Sequence, residues 1–362
     1  MNYKYHGERS MNLGAIDIGT NSCRLLISRV QVMPVRRSHL RIHHSLIQWK
    51  SIDSFCRIVK LGENLTKTGR LDEKSIQRTI ETLHMCYKKI CYYRVNHLKV
   101  VGTEACRKAM NIQELQMKAQ KACNMSIDVI SGEKEAEYAL LGCSELIDWR
   151  KPYGLIFDIG GGSTEVIWVK FRTEFRHNYI LHDFYEILDS VSLPYGVVTV
   201  NDTLEGYASQ ETIFEHVYHK VLKDMEAFVE KNHIKDIYEA HGVQMIGSSG
   251  TVTAFATLFL GLETYDRRRV DGLKVASSEI QHICDQAHYG DECLQKVHID
   301  KKNELMNVGA GILKGILKAA PCEELTVADR GVREGVIVEL IRDNIVPHFE
   351  EQPKFSEKAV AS

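Results

Sequence analysis

Two segments of the sequence combine an acid, glycine and small hydroxyl residues between apolar stretches, a combination suited to binding phosphate groups. They are Asp17–Ser22 (DIGTNS) and Asp158–Ser163 (DIGGGS). Glycine lets the backbone approach a ligand closely and directs successive N–H groups into one concavity, where an anion needs no side-chain cation. The aspartate would repel phosphate, but it can hold a divalent metal that bridges to phosphate oxygens. The two segments therefore predict two phosphate-binding loops with a magnesium ion beside them.

The two loops are related by an internal repeat. The acid, the first glycine and the serine of one loop align with those of the other at a constant offset of 141 residues. In each copy an apolar stretch precedes the acid and another follows the serine. This spacing is far longer than the repeat of a solenoid, so it indicates a duplicated domain that carries one loop in each half.

A charged residue follows two positions after each loop serine. It is Arg24 in the first copy and Glu165 in the second. Glu165 lies across the turn from Asp158, so both acids can face one cleft. We expect Asp158 and Glu165 to be the acids associated with magnesium, followed by Asp17. Arg24 is either a phosphate ligand or an arginine on the surface of a strand.

The composition excludes several other classes of protein. The chain has 362 residues, 44% of them hydrophobic, which is enough for two globular domains. Its net charge of -2 gives no overall positive field that would favour nucleic acid. No apolar stretch is long enough to cross a bilayer. The ten cysteines include no C-x-x-C pair, so we expect reduced thiols in a cytoplasmic protein.

Residues 31–50 are unusually basic and contain no acid. The segment is either a solvated hairpin or loop, or a cationic lip on an anion-binding cleft. Its basic side chains are those of Arg36, Arg37, Arg41 and Lys50, accompanied by His39, His43 and His44.

Hydrophobic periodicity predicts strands and helices that alternate through both halves, which defines an α/β class. We predict strands over residues 98–101 and 126–130 and on both sides of each loop. Few prolines and no Ser-rich linker separate the halves, so two closely coupled domains with a cleft between them are expected. The predicted helices cover residues 72–94, 111–124, 209–232, 249–261, 277–288, 303–319 and 331–345, and a further helix opens at Ser131.

An ordered series of motifs resembles the exopolyphosphatase/guanosine pentaphosphate phosphatase (Ppx/GppA) family of the actin, sugar-kinase and heat-shock-chaperone ATPase superfamily. The resemblance runs from about Leu13 to Ile345, and its most specific element is the triple-glycine loop followed by Ser-Thr-Glu. It matches the short form of the family, without the C-terminal module that carries His-Asp motifs. The motifs are GAIDIGTNSCRLLI, KLGENL, VGTEACRKAMN, ISGEKEAEYALLG, FDIGGGSTEVI, SLPYGVVTV, IGSSGTVTA and DRGVREGVI.

The resemblance implies two ribonuclease-H-like (actin-like ATPase) domains that face each other across an interdomain cleft. The expected boundaries are 12–137 for the first domain and 138–329 for the second, with a frayed tail over 347–362. A final helix over 330–346 would return to pack on the first domain.

The resemblance also implies hydrolysis of the terminal phosphoanhydride of inorganic polyphosphate or of guanosine pentaphosphate, with Mg²⁺ and release of orthophosphate. Register on the family pattern makes Glu135 the catalytic base, which would deprotonate a water in line with the terminal phosphorus. Helical geometry places Glu135 on one flank of an apolar face and Glu133 and Glu137 on the other. Geometry by itself does not say which flank faces the cleft.

Other segments are also expected to reach phosphate. Gly102 and Thr103 end a strand, and the glycine–serine run from Gly247 opens a helix whose free N–H groups suit an anion, with tight strand–helix packing as the alternative for that run. Arg107 matches an arginine of the family pattern and is either a cleft residue or part of a structural salt bridge. The full predicted phosphate-binding set is Gly19, Thr20, Asn21, Ser22, Arg24, Gly102, Thr103, Gly160, Gly161, Gly162, Ser163, Gly247, Ser248 and Gly250.

Two other functions stay open for such a sequence: a small-molecule kinase of the same superfamily and a non-catalytic alarmone-binding sensor. Between polyphosphate and guanosine pentaphosphate, the basic 31–50 segment favours a long anionic chain, since a polyanion gains from extended positive surface. The resemblance implies a homodimer, and neither nucleic acid nor a membrane is expected as a partner.

Overall fold

Two β-sheets with helices packed on them organise the chain in a computed structural model that describes residues 9–33, 46–175, 180, 183–204, 209–289 and 303–344. The α/β class predicted from the sequence is confirmed. The long helices predicted from periodicity are present, with their ends within two residues of the expected ones. Among the described residues, no helix combines the length and the hydrophobicity that a membrane span requires.

The first half of the chain forms a five-stranded sheet. Its strands are β1 (Arg9–Ile18), β2 (Ser22–Met33), β3 (Leu46–Ile58), β4 (His97–Gly102) and β5 (Asp128–Val129). They lie in the order β3-β2-β1-β4-β5. The pairs β3–β2 and β2–β1 are antiparallel, and the pairs β1–β4 and β4–β5 are parallel. The helices of this half are α1 (Leu65–Thr68), α2 (Glu73–Tyr92), α3 (Glu104–Lys108), α4 (Ile112–Cys123) and α5 (Gly132–Gly142).

The second half forms a six-stranded sheet in the order β10-β11-β9-β6-β7-β8. These strands are β6 (Tyr153–Ile159), β7 (Thr164–Phe171), β8 (Tyr185–Leu193), β9 (Val243–Ser248), β10 (Lys274–Ala276) and β11 (Glu324–Ala328). The helices are α6 (Val197–Leu204), α7 (Gln210–Lys231), α8 (Ile234–His241), α9 (Gly250–Phe259), α10 (Arg267–Val270), α11 (Ser277–Tyr289), α12 (Asn303–Ala319) and α13 (Val332–Asn344).

The two sheets repeat one topology, as a duplicated domain requires. The order and directions of β3-β2-β1-β4-β5 recur in β8-β7-β6-β9-β11, and β10 extends the second sheet. The loops recur as well. The Gly19 N–H donates to the Ser22 carbonyl at 3.0 Å, and the Gly160 N–H donates to the Ser163 carbonyl at 2.9 Å. The acid–glycine loop is therefore the same turn, placed at the same edge of two equivalent sheets.

The basic segment over residues 31–50 is partly described. β2 continues to Met33 and β3 begins at Leu46, so both ends of the segment are strand rather than loop. Lys50 lies in β3, in register with Arg29 of β2. The other basic side chains of the segment and its three histidines lie outside the described residues. The strand predicted over residues 126–130 is also shorter than expected, because only Asp128 and Val129 pair with β4.

Three hydrophobic cores hold together the part of the chain that the structure describes. One lies between the first sheet and α2 and α4, and one between the second sheet and α7, α9 and α12. The third contains residues of β1, β2, β6 and β7 together with α5 and α13. In this shared core α5 contacts the second sheet, α13 contacts the first sheet, and the two helices pack on each other. The boundary predicted between residues 137 and 138 falls inside α5 and stays a prediction.

The crossing of α5 and α13 depends on glycine. A Cβ added at Gly335 would lie 2.0 Å from the Tyr138 carbonyl oxygen, and one at Gly142 would lie 2.1 Å from the Gly331 carbonyl oxygen. Charge reinforces this close packing: the Glu339 carboxylate of α13 accepts from the Tyr138 hydroxyl and pairs with Lys134 Nζ, each at 2.7 Å. It also pairs with Lys99 of β4. Glu339 thus ties the last helix to both α5 and the first sheet.

We predict that Glu339→Gln lowers the free energy of unfolding at pH 7 by about 1.5–3 kcal/mol, the range for hydrogen bonds to a charged group. Burial would raise the pKa of Glu339, but hydrogen bonds from Lys134, Lys99 and Tyr138 outweigh it and lower that pKa to about 2. A depressed pKa means that the stabilisation is present above the ordinary value of 4.5 and is lost as the pH falls towards 2. Urea unfolding of both proteins between pH 7 and pH 3 measures the difference.

The matched control is Glu226→Gln on α7, where the side chain is exposed. This variant should change the free energy of unfolding by less than about 0.5 kcal/mol. Equal effects of the two variants, or a Glu339 effect that does not shrink below pH 4.5, would contradict the prediction.

Candidate active site

The two acid–glycine loops face each other across a cleft of about 810 Å³. They also touch. A Cβ added at Gly162 would lie 2.4 Å from Thr20 Oγ1, and one at Gly161 would lie 3.3 Å from the Asn21 nitrogen. Gly196 packs against the same two glycines, because a Cβ added there would lie 2.3 Å from the Gly162 carbonyl carbon. Gly161 and Gly162 are therefore constrained by contact between the loops, whereas Gly160 is constrained inside its own loop, where a Cβ would lie 2.9 Å from the Ser163 carbonyl oxygen.

An aspartate from each half enters the cleft at the end of the first strand of its sheet. In the strand register Asp17 faces Arg24, and Asp158 faces Glu165. Burial raises the pKa of Asp17, with Arg24 opposing the rise. Burial likewise raises the pKa of Asp158, to about 6, with Arg24 opposing the rise and Asp17 adding to it. The cation of Arg24 does not by itself balance the two carboxylates.

Glu135 reaches the cleft from the first turn of α5. That turn begins where Ser131 Oγ accepts from the Lys134 N–H at 3.2 Å, which fixes the start of the helix. Glu135 is 9% exposed and lines the cleft. Glu133 does not line it, and Glu137 turns away to Lys134 and the Tyr185 hydroxyl. Of the three glutamates, the fold brings Glu135 to the cleft between the acid–glycine loops, while its catalytic role stays a prediction.

Arg107 of α3 joins three carboxylates beside the cleft. Its Nη1 lies 2.6 Å from Glu135 Oε2, and its Nη2 lies 2.7 Å from Glu104 Oε2 and 3.7 Å from Glu165 Oε1. Burial raises the pKa of Glu135 well above its ordinary value, and the charge of Glu165 adds to this rise while Arg107 opposes it. Arg107 therefore forms a salt-bridge network instead of lining the cleft.

Glu165 is almost fully buried behind the second loop. Its Oε1 accepts from Ser163 Oγ at 2.6 Å and from Ser192 Oγ at 2.9 Å. Burial raises its pKa to about 7, although the hydrogen bond from Ser163 opposes the rise. Glu165 does not line the cleft. Its hydrogen bond with Ser163 orients the serine of the second loop.

The predicted phosphate-binding residues divide into two groups. Gly102 and Gly247 lie away from the cleft, and each is needed for packing: a Cβ would lie 2.7 Å from Cys106 Sγ at Gly102 and 2.6 Å from the Phe157 ring at Gly247. The other predicted residues line the cleft: Gly19, Thr20, Asn21, Ser22, Arg24, Thr103, Gly160, Gly161, Gly162, Ser163, Ser248 and Gly250.

Ser249 has a strained backbone at the mouth of α9. Its φ of 127° and ψ of 168° fall in a region that is almost restricted to glycine. Its Oγ accepts from the Thr251 and Val252 N–H groups at 3.1 and 3.2 Å. This cap consumes two of the free N–H groups of the helix that were expected to serve an anion.

The N-terminus of α13 supplies cleft residues that sequence reasoning missed. Glu334 lines the cleft, and its Oε2 accepts from the Gly331 N–H at 3.0 Å. Its Oε1 is buried without a hydrogen bond and lies 3.7 Å from Arg267 and 3.9 Å from Arg333. The motif DRGVREGVI contains Gly331, Arg333 and Glu334, but it indicated only a helix. All three line the cleft, and their place there depends on how that helix returns to the site.

The acids at the cleft fit a magnesium ion. Asp17 Oδ1 is buried and has no hydrogen-bond partner, as expected for an oxygen that awaits a cation. Within the described ranges no three His, Cys, Asp or Glu side chains converge as a closed metal site. Magnesium does not require one, because it commonly uses one or two carboxylates together with waters and substrate phosphates.

Comparison with known proteins gives one family. Residues 43–344 match the sequence model of the Ppx/GppA phosphatase family. A bifunctional 3-dehydroquinate synthase/phosphatase of Fusobacterium nucleatum is 29% identical over 90% of this chain and 46% of its own. A guanosine-5'-triphosphate,3'-diphosphate pyrophosphatase of Aeromonas hydrophila is 26% identical over 91% of this chain and 59% of its own. The chain thus spans about half the length of these relatives. A putative exopolyphosphatase of Haemophilus influenzae is 24% identical over 92% of this chain and 93% of its own.

Solved structures agree with the observed architecture. A Ppx/GppA family member from Aquifex aeolicus superimposes with a TM-score of 0.70 at 25% identity, over 93% of this chain and 99% of that chain. An exopolyphosphatase from Cytophaga hutchinsonii has a TM-score of 0.68 at 22% identity, over 92% and 98% of the two chains, and this likeness concerns the fold alone. The predicted actin-like fold of two ribonuclease-H-like domains is confirmed.

We predict that Asp158→Asn raises the free energy of unfolding of the metal-free protein by about 1–3 kcal/mol at pH 8. The pKa of Asp158 is raised to about 6 from 3.8, so the ionised carboxylate costs stability, and a shift of about two units corresponds to about 3 kcal/mol at most. The gain should be complete above pH 6 and absent below 3.8. Urea unfolding with a chelator at several pH values measures it.

Asp236→Asn is the control, because that side chain is 82% exposed. It should leave the free energy of unfolding within about 0.5 kcal/mol of the wild type at every pH. An Asp158→Asn variant less stable than the wild type at pH 8 would show that the carboxylate is not repelled in this cleft.

Proposed function

Because the chain belongs to the Ppx/GppA phosphatase family, we propose that it hydrolyses the terminal phosphoanhydride bond of inorganic polyphosphate, guanosine pentaphosphate or both, and releases orthophosphate. One observation carries the proposal: a single cleft contains both acid–glycine loops and the buried carboxylate of Glu135. The loops suit a chain of phosphates, and the carboxylate suits the activation of a water. The homologues named for exopolyphosphatase and guanosine pentaphosphate activity support the same reaction.

The two loops would grip the terminal phosphate from both sides. Where the loops touch, the Asn21 backbone nitrogen of the first loop lies 3.3 Å from the position of a Cβ at Gly161 of the second, so backbone N–H groups of both loops lie at the same point of the cleft. Such preorganised dipoles stabilise charge on phosphate oxygens without reorganisation during the reaction. Arg24 adds a guanidinium whose charge acts on the aspartates of both halves.

Glu135 would act as the general base that takes a proton from the attacking water. Burial raises its pKa, so the ionised group is a stronger base than an exposed glutamate. Arg107, hydrogen-bonded to Glu135 Oε2, limits that rise and holds the carboxylate in one orientation. The base thus combines basicity from burial with a defined position.

We propose Asp17 and Asp158 as the residues that would hold Mg²⁺, because both line the cleft and the nearby cations do not offset the effect of burial on either carboxylate. When bound, Mg²⁺ supplies charge neutralisation to the phosphate oxygens. Glu165 is a weaker candidate than the sequence suggested, since its Oε1 is already engaged by two serines.

A Mg²⁺ titration followed by heat denaturation tests this assignment without turnover. Mg²⁺ should raise the melting temperature of the wild type, and by less in Asp17→Asn and in Asp158→Asn, because each variant loses one carboxylate. Asp236→Asn should respond to Mg²⁺ as the wild type does. A full response of both cleft variants would contradict the assignment.

The proposal includes a homodimer in the cytoplasm. The described cysteines are free thiols, which suits a reducing compartment. Light scattering after size exclusion tests the dimer.

We predict that Glu135→Gln lowers kcat by about 10²–10⁴-fold, the usual contribution of general-base catalysis. Glutamine keeps the shape and the hydrogen bond to Arg107 but cannot take a proton. Orthophosphate release with Mg²⁺ should be measured side by side on long polyphosphate, short polyphosphate, guanosine pentaphosphate and ATP. The comparison also reports which phosphate donor is preferred.

Glu133→Gln, two residues away on the same helix and outside the cleft lining, should keep wild-type kcat. Full activity of Glu135→Gln would remove the proposed base. Transfer of phosphate from ATP to an acceptor without bulk release would identify a kinase instead, and tight guanosine pentaphosphate binding without turnover would identify a sensor.

A further inference from the structure

Glu104 occupies a position between the two halves that neither the motifs nor the proposed reaction explains. Its side chain is 13% exposed, lines the cleft and packs on the triple-glycine loop of the other half. A Cβ added at Gly162 would lie 2.8 Å from Glu104 Cγ. An acid is unexpected beside a loop that is built for phosphate, because its charge would repel the ligand.

Two cations neutralise Glu104. Its Oε2 accepts from both Nε and Nη2 of Arg107, at 3.1 and 2.7 Å, and its Oε1 pairs with Lys108 Nζ at 2.7 Å. Hydrogen bonds from Lys108 and Arg107 overcome the effect of burial and lower the pKa of Glu104. The carboxylate is therefore an anion that is fully occupied by two residues of its own helix.

The contact with Glu104 decides what Arg107 can do. A guanidinium has five N–H donors. In Arg107, Nε and Nη2 turn to Glu104, while Nη1 donates to Glu135 Oε2 at 2.6 Å and to the Ile130 carbonyl at 3.0 Å. All three nitrogens are engaged within this cluster, and Nη2 also lies 3.7 Å from Glu165 Oε1. Arg107 thus bridges Glu104 and Glu135, the proposed base.

We propose that Glu104 is a positioning residue that acts through Arg107, and this inference rests on the proposed hydrolase function. Glu104 anchors one edge of the guanidinium so that the other edge holds Glu135 in place. It also keeps the Arg107 cation from binding phosphate in the cleft. Arg107 therefore orients the base and does not bind the ligand, whereas an arginine without the Glu104 contact could do both.

The chemistry of the loss follows directly. Without the Glu104 charge, Nε and Nη2 of Arg107 keep only weaker hydrogen bonds to a neutral oxygen, because the charge-assisted partner is lost. They lie on the side of the guanidinium that faces Glu104, whose Cγ packs against Gly162 of the second loop. Arginine binds phosphate strongly and with two parallel hydrogen bonds. The guanidinium would then turn towards substrate and product, and its hold on Glu135 would weaken.

Glu104→Gln tests the proposal, because glutamine keeps the size of the side chain and removes its charge. We expect kcat to fall about tenfold or more while KM also falls, together with a Ki for orthophosphate at least about threefold lower. Calorimetric titration with inorganic phosphate should show the same tighter binding without any turnover. Glu104→Asp, which restores the charge, should recover part of kcat and return phosphate affinity towards the wild-type value.

Glu114→Gln is the matched control, since Glu114 of α4 forms an exposed salt bridge with Arg70 in the turn between α1 and α2. It should leave kcat, KM and phosphate affinity unchanged. Urea unfolding of each variant separates a loss of stability from a change in the site. A merely structural salt bridge would lower stability in Glu104→Gln without tighter phosphate binding.

Unchanged kcat and phosphate affinity in a folded Glu104→Gln protein would overturn the inference, as would a raised KM with unchanged kcat. An inactive wild type on all four phosphate donors would refute the proposed function instead. The phosphate titration still reports on Glu104 in that case, because it does not depend on catalysis.

Discussion

The contact between the two acid–glycine loops is the constraint on which the site depends. Gly162 meets Thr20 at a distance that leaves no room for a Cβ unless Thr20 moves, and Gly161 meets Thr20 and Asn21 in a contact that would be tight for one. This contact sets the separation of the two sheets at their strand ends, where the paired aspartates emerge. Because two equivalent turns meet face to face, their backbone N–H groups and their acids are collected in one cleft.

This close approach leaves the site with unbalanced negative charge. Four carboxylates in or beside the cleft have raised pKa values because they are buried near one another: Asp17, Glu135, Asp158 and Glu165. Arg24 and Arg107 oppose this repulsion only in part. Stability elsewhere must offset the cost. The shared core around α5 and α13, held by glycine contacts and by Glu339, includes Ala136 and Val332, the chain neighbours of cleft residues. A functional site that costs stability is expected to be offset by strong packing in the rest of the fold.

Helices and strands followed the sequence closely because hydrophobic periodicity and helix caps are local. α12 has the predicted ends, and α5 begins at Gly132 with Ser131 as its N-cap, next to the predicted start. Long-range packing was less accessible. Gly102 and Gly247 were expected at the ligand, yet the side chains of Cys106 and Phe157 pack where their Cβ atoms would lie. A glycine needed for packing and one needed for phosphate binding look the same in a sequence. The salt bridges of Arg107 were an open alternative that the structure resolved.

By itself the sequence determined the two loops, their duplication, the α/β class and the glutamate that the family pattern designates, because each is carried by neighbouring residues or by a repeated spacing. Only the tertiary structure decided which flank of α5 faces the cleft, that Glu165 accepts hydrogen bonds from two serines, and that Glu334 of α13 lines the cleft. It also placed Glu104 beside Gly162 and Arg107. These outcomes depend on how two sheets and two crossing helices meet, and no local pattern encodes the charges that such a meeting brings together.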